Sequence, residues 1–119
     1  MILAVLDDLM FSSKIKTAAT QLDVPLTFAR SSAGALEAMR KQAPTLVIFD
    51  LNNPRTDPLG TMAAMKSDAA LSNIPTIGFV SHVEVDLIDQ ARKAGMTDVL
   101  PRSAFSAGVG DILMRYKQG

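Results

Sequence analysis

The stretch Thr45-Leu46-Val47-Ile48-Phe49-Asp50, followed at once by Leu51-Asn52-Asn53-Pro54, constrains this chain more than any other. Five residues, mostly apolar and rich in β-branched and aromatic types, run without interruption into an aspartate. Such a run reads as a strand buried on both faces of a sheet. Asn-Asn-Pro stops it, because proline has no N–H to donate and the residue before it avoids helical angles. Asp50 is thereby expected at the carboxyl end of a central strand, where open α/β sheets build their sites. The opening residues repeat the pattern, with Ile2-Leu3-Ala4-Val5-Leu6 running into Asp7-Asp8. Three carboxylates brought to one sheet edge raise one another's pKa unless something positive joins them.

The remaining composition narrows the class. With 119 residues there is room for one domain and one core, and an apolar share of 48% is enough to fill it. Twelve basic and twelve acidic residues cancel without forming runs, which argues against nucleic acid as a direct partner. The chain has no cysteine, so disulfides and thiolate metal sites are excluded. The apolar start lacks a basic flank and is too short for a signal peptide, and no stretch is long enough to insert into a membrane. A soluble, cytoplasmic domain is expected.

Along the chain, Phe11, Ile15, Ala18, Ala19 and Leu22 share one helical face. Leu26-Thr27-Phe28 alternates like a short strand, and Ser31-Ser32 offers an N-cap for a helix that turns Leu36, Met39 and Ala43 inward. Asp57-Pro58 has the form of an N-cap with proline in the first turn, predicting a third helix that runs to near Leu71. Ile74 to Val80 reads as another buried strand ending in Ser81-His82. A fourth helix carries Val83, Leu87, Ala91 and Ala94 on one face. Acids stand at its start, Arg92 and Lys93 at its end, and Gly95 stops it. Asp98-Val99-Leu100-Pro101 is a short strand whose proline belongs at a sheet edge. The closing helix carries Val109, Ile112, Leu113 and Tyr116, with a first turn weakened by Gly108 and Gly110.

Five strands alternating with five helices predict an α/β three-layer sandwich of the flavodoxin-like (βα)5 type. Its parallel five-stranded sheet takes the order 2-1-3-4-5, which sets strands one and three side by side so that their acids meet. Residues 1–119 are expected to form this single domain, with no output domain attached. The meeting acids suit a hard divalent cation, and Mg²⁺ typically takes one or two carboxylates plus water and phosphate oxygens. Asp7, Asp8 and Asp50 are thus candidate Mg²⁺ ligands, with the backbone carbonyl of Asn52 completing the set. Asp50 is also a candidate nucleophile toward a phosphoryl group. The plainer reading makes these acids solvated loop residues or helix N-caps.

Taken together, Leu6-Asp7-Asp8, Ile48-Phe49-Asp50 with Pro54 four residues on, Ser81 after the fourth strand, Gly95 and Arg102 resemble the receiver domains of two-component response regulators. The resemblance spans essentially the whole chain. It implies that Asp50 is the phosphoacceptor, that Asp7 and Asp8 hold Mg²⁺ with the Asn52 carbonyl, and that Ser81 contacts the phosphoryl group and relays its presence. A histidine kinase or phosphotransfer protein would be the donor, and a separate downstream protein the recipient of the signal.

The departures are equally specific. The family's Lys-Pro pair after strand five is Arg102-Ser103 here, for which a trans bond is expected. Val99 stands where an aromatic switch residue is common, Pro58 near a usual glycine, and His82 where a small residue is normal. A phosphorylation-independent pseudo-receiver is therefore an alternative. A small aspartate-nucleophile phosphatase is another, weakened because Asn52 stands where a general acid is needed. A flavin-binding domain would require a hydroxyl- and glycine-rich phosphate loop after strand one. His82 is read as a gating or surface residue, and Met39, Met62 and Met65 as core. Arg92, Lys93, Arg115 and Lys117 mark a candidate face for a weak homodimer through the last two helices, although solvated surface accounts for them as well.

Overall fold

The structure, a computed structural model, describes residues 1–81 and 84–117; His82 and Val83, with the roles assigned to them above, lie outside the described residues. Strands β1 (Ile2–Val5), β2 (Leu26–Ala29), β3 (Leu46–Asp50), β4 (Thr76–Val80) and β5 (Asp98–Pro101) form one parallel sheet in the order β2-β1-β3-β4-β5. Every residue of β1, β3 and β4 is buried, as the uninterrupted apolar runs require. Pro101 ends a strand at the sheet edge, where its missing N–H leaves no ladder bond unmade.

Helices α1 (Leu9–Gln21), α2 (Ser32–Lys41), α3 (Pro58–Lys66), α4 (Val85–Lys93), α5 (Arg102–Ala107) and α6 (Val109–Arg115) cover the sheet, with a 3-10 turn at Pro54–Thr56. One layer of core lies under α2, α3 and α4 and includes Met39, Met62, Met65 and Met96. The other lies under α1, α5 and α6, with Phe79 and Phe105 at its centre. The caps follow the sequence: the side chains of Asp8, Ser31 and Asp57 accept from the amides of Phe11, Gly34 and Gly60. Gly95, at φ +97°, supplies the left-handed turn after α4.

Four local expectations are corrected. The helix α2 ends at Lys41, so Ala43 is exposed and Ala35 takes the inward place. Ala43 precedes Pro44, which disfavours helical angles there. The helix α3 stops at Lys66, five residues before Leu71, because Asp68 turns the chain by accepting from the Ala70 amide. Strand β4 starts at Thr76, beyond Pro75. The closing helix starts at Arg102 and breaks at Gly108 into α5 and α6, so six helices rather than five stand among the described residues. Gly108 marks a joint between two helices, not a late beginning of one.

Candidate functional site

The pairing of β1 with β3 brings the ends of both runs to one edge. Asp50, the last residue of β3, is 3% exposed, while Asp7 and Asp8 follow β1 and are half-buried. Each carboxylate is already engaged. Asp50 Oδ1 accepts from the Asn52 amide at 3.0 Å, and its Oδ2 lies 3.3 Å from Arg102 Nη2. Asp8 Oδ1 caps α1 by accepting from the Phe11 amide at 3.0 Å, and its Oδ2 lies 3.7 Å from Arg102 Nη1. Asp7 accepts from the Asn53 side-chain amide and pairs with Arg55 Nη1 at 3.4 Å. One guanidinium therefore joins the two strand ends, and Asp8 both caps α1 and faces Arg102.

Arg102 is held by more than charge. Its guanidinium carbon is 4.9 Å from the centre of the Phe11 ring and 5.2 Å from that of Phe79, both within cation–π range. These rings belong to a stack in which Phe79 lies 4.6 Å from Phe11 and 4.8 Å from Phe105. Three elements supply it: α1, β4 and α5. The sequence places Phe11 on an inward helix face, but nothing local shows that the three rings meet under Arg102.

Asn53 is the second residue that sequence reading passes over. It is buried, its Oδ1 accepts from the Arg55 amide at 3.0 Å, and its own amide donates to the Asp50 carbonyl at 3.2 Å. The available signal is an asparagine directly before a proline, the form of an N-cap with proline at the first position. Asn52 contributes more than a backbone group: its Oδ1 accepts from the Ser81 amide at 2.8 Å, tying the end of β3 to the end of β4. The Arg102-Ser103 bond is trans, as expected, and Ser103 is exposed in the first turn of α5. Val99 is buried in the core layer beneath α4. Of the four basic residues proposed for a dimer face, Lys117 donates to the Leu22 carbonyl and Lys93 pairs with Asp89.

Burial drives the Asp50 carboxyl above its ordinary value. The Asn52 amide and Arg102 pull it back down, and Asp8 and Asp7 push it up further. A cavity of about 400 Å³ opens over Asp7, Asp8 and Asp50, walled by Asn53, Arg55 and Arg102. A second, of about 560 Å³, lies on the other side of Arg102, between Phe11, Ser81, Ser103 and Ser106. Among the described residues no three acidic or imidazole groups converge into a metal cage on their own. The carboxylates facing the first cavity are hard oxygen ligands, which suits an ion that retains several waters, as Mg²⁺ does.

The sequence matches a family model, the response regulator receiver domain, over residues 2–107. Among curated proteins, none matches the chain. Similar solved structures include a response regulator from Hahella chejuensis, 22% identical, covering 97% of this chain and 92% of that one with a TM-score of 0.85. The chemotaxis response regulator CheY4 of Vibrio cholerae is 16% identical over 97% and 96% of the two chains, with a TM-score of 0.82. The Mn²⁺-bound form of the response regulator Rcp1 is 22% identical over 93% and 89%, with a TM-score of 0.77.

Proposed function

Because the chain belongs to the response regulator receiver domain family, we propose that Asp50 accepts a phosphoryl group from a phosphohistidine on a kinase or phosphotransfer protein, and that the signal passes on by protein contact. The observation that carries this reading is the state of Asp50 itself. It is nearly fully buried at the sheet's carboxyl edge, with one oxygen held by the Asn52 amide and the other facing Arg102 and the open cavity. In the transfer, a carboxylate oxygen of Asp50 attacks phosphorus while the phosphorus–nitrogen bond breaks, and the histidine nitrogen leaves with the electron pair. Arg102 is placed to pair with phosphoryl oxygens as its hold on the carboxylate is released. The Ser81 hydroxyl is assigned the contact that relays the change, from its position on the cavity shared with Arg102.

Mg²⁺ is the implied cofactor, and the oxygen donors fit it. Asp7, Asp8 and Asp50, with the Asn52 carbonyl, would hold the ion, and when bound it offsets negative charge on the phosphoryl oxygens. The Mn²⁺-bound form of Rcp1 supports a divalent ion in this fold. Intact-mass measurement after incubation with Mg²⁺ and acetyl phosphate tests the reading. Wild type gains one phosphoryl group and Asp50→Asn gains none. A wild type that gains nothing from acetyl phosphate or a phosphohistidine donor leaves the second reading, a phosphorylation-independent interaction module. That second reading is favoured by one observation, the burial of Val99 where an aromatic switch would swing.

A further inference from the structure

Each carboxylate that would hold a divalent ion is already occupied by groups of this chain, and the way they are occupied differs. Asp8 and Asp50 each commit Oδ1 to a backbone amide, of Phe11 and Asn52 respectively. The Oδ2 of each carries no such backbone bond, and both of these atoms face the same guanidinium. From this we infer that Arg102 is a resident counter-cation that competes directly with the divalent ion, so that metal enters only as the guanidinium withdraws. The inference rests on the proposed Mg²⁺ site and names a control on it.

Three observations support the competition. A bound Mg²⁺ sits about 2.0–2.1 Å from its oxygen ligands, which brings it against a guanidinium that now lies 3.3 and 3.7 Å from the same two atoms. Two like charges that close repel strongly in a half-buried setting. The guanidinium also has somewhere to go. It is half-exposed, rests on the faces of Phe11 and Phe79, and borders the second cavity beside Ser81 and Ser103. Finally, most of the carboxylate charge is offset without the ion. Arg102 serves Asp8 and Asp50, and Arg55 with Asn53 serves Asp7. With two of the three negative charges offset inside the chain, metal binds at the expense of those pairs.

The test is titration of the whole chain with Mn²⁺ and with Mg²⁺, followed calorimetrically, for wild type, Arg102→Met, Arg55→Met and Asp8→Asn. Methionine keeps an apolar stem over the rings while removing the charge, and thermal melts establish that each variant is folded. Arg102→Met is expected to bind the ion about tenfold more tightly than wild type or better, a change equivalent to about 1.4 kcal/mol. Arg55→Met removes the same charge from an exposed pair on Asp7 and should shift affinity much less. In wild type the Arg102 Nε–H resonance should move as Mg²⁺ is added. Equal affinity in wild type and Arg102→Met overturns the competition, and so does a gain in Arg55→Met as large as that in Arg102→Met, which would reflect net charge alone. Absence of metal binding in every variant overturns it together with the metal site. Phosphoryl uptake on Asp50, read by mass with a phosphohistidine donor, reports the proposed function separately in all these cases.

Discussion

The acidic pocket has two walls that hold their residues by different means. On the β3 side, the loop from Asp50 to Pro58 is laced by short-range hydrogen bonds. Asn53 accepts from Arg55, Thr56 donates to the Asn53 carbonyl, and Asp57, at φ 43°, caps α3 through the Gly60 amide. Thr61 closes the set, its hydroxyl within hydrogen-bond reach of Ser32 at 2.6 Å and of the Asp57 carbonyl at 2.8 Å. On the β5 side there is one guanidinium on a platform of three rings brought from α1, β4 and α5. The first wall is fixed in place by directional bonds, most of them local. The second is fixed by packing at long range, with its guanidinium resting on ring faces. On the proposed reading, the loop positions the acids and Arg102 is the group that responds.

The largest expected effect comes from removing the platform. Phe79 is fully buried and touches both neighbouring rings and Arg102, so Phe79→Ala should cost about 3–5 kcal/mol in urea unfolding. A cost below about 1.5 kcal/mol, the range of a tolerated repacking, would show that the rings are not a cooperative support. Thr61→Val probes the opposite wall with a change of shape too small to matter. Its cost should be about 1–3 kcal/mol, because the Ser32 hydroxyl loses a buried partner. If the walls are independent, Phe79→Ala with Thr61→Val should be additive within about 0.5 kcal/mol.

Asp50 belongs to both walls, through Asn52 and through Arg102, and its raised pKa gives a signed prediction. Burial favours the protonated form, so its contribution to stability is fully present below the ordinary value of 3.8 and is lost as pH rises through the higher value in the fold. Asp50→Asn removes that loss. The variant should melt a few degrees above wild type at neutral pH, with the gap closing as pH falls through this window. A gap that widens on acidification would mean that the Arg102 pair outweighs burial.

How much of this was legible in the sequence follows the same division. The buried runs ending in acids, the Asn-Asn-Pro stop and the Asp57-Pro58 cap are signals carried by neighbours in the chain, and the sheet order follows from the alternation they punctuate. Arg102 was legible only as the residue standing in the place of the family's lysine after the fifth strand. The ring platform was not legible, since Phe11, Phe79 and Phe105 come from three elements and only packing brings them together. The start of α5 at Arg102 was hidden by Gly108 and Gly110, whose low helix propensity points to a late start when the helix in fact forms on either side of a joint. Asn53 was hidden for the converse reason, as a residue read only as a strand terminator also carries a side chain that fixes Asp7.

The smallest predicted effect sets a limit on the polar wall. Arg55 pairs with Asp7 at 3.4 Å, but its side chain is 83% exposed, and an ion pair in that setting is screened and entropically costly to hold. Arg55→Ala should therefore change unfolding free energy by less than about 1 kcal/mol, and less again in high salt. Asp7 would keep the Asn53 amide, so its position should survive the substitution. Asn53→Ala removes that amide and the acceptor for the Arg55 N–H together and should be the more damaging by about 1–2 kcal/mol. The comparison needs only chemical denaturation of the two single variants at two salt concentrations. Should Arg55→Ala prove the costlier, Asp7 is held by charge more than by the Asn53 amide. The β3 wall would then work in the same way as the β5 wall, with a guanidinium pairing the acids on each side.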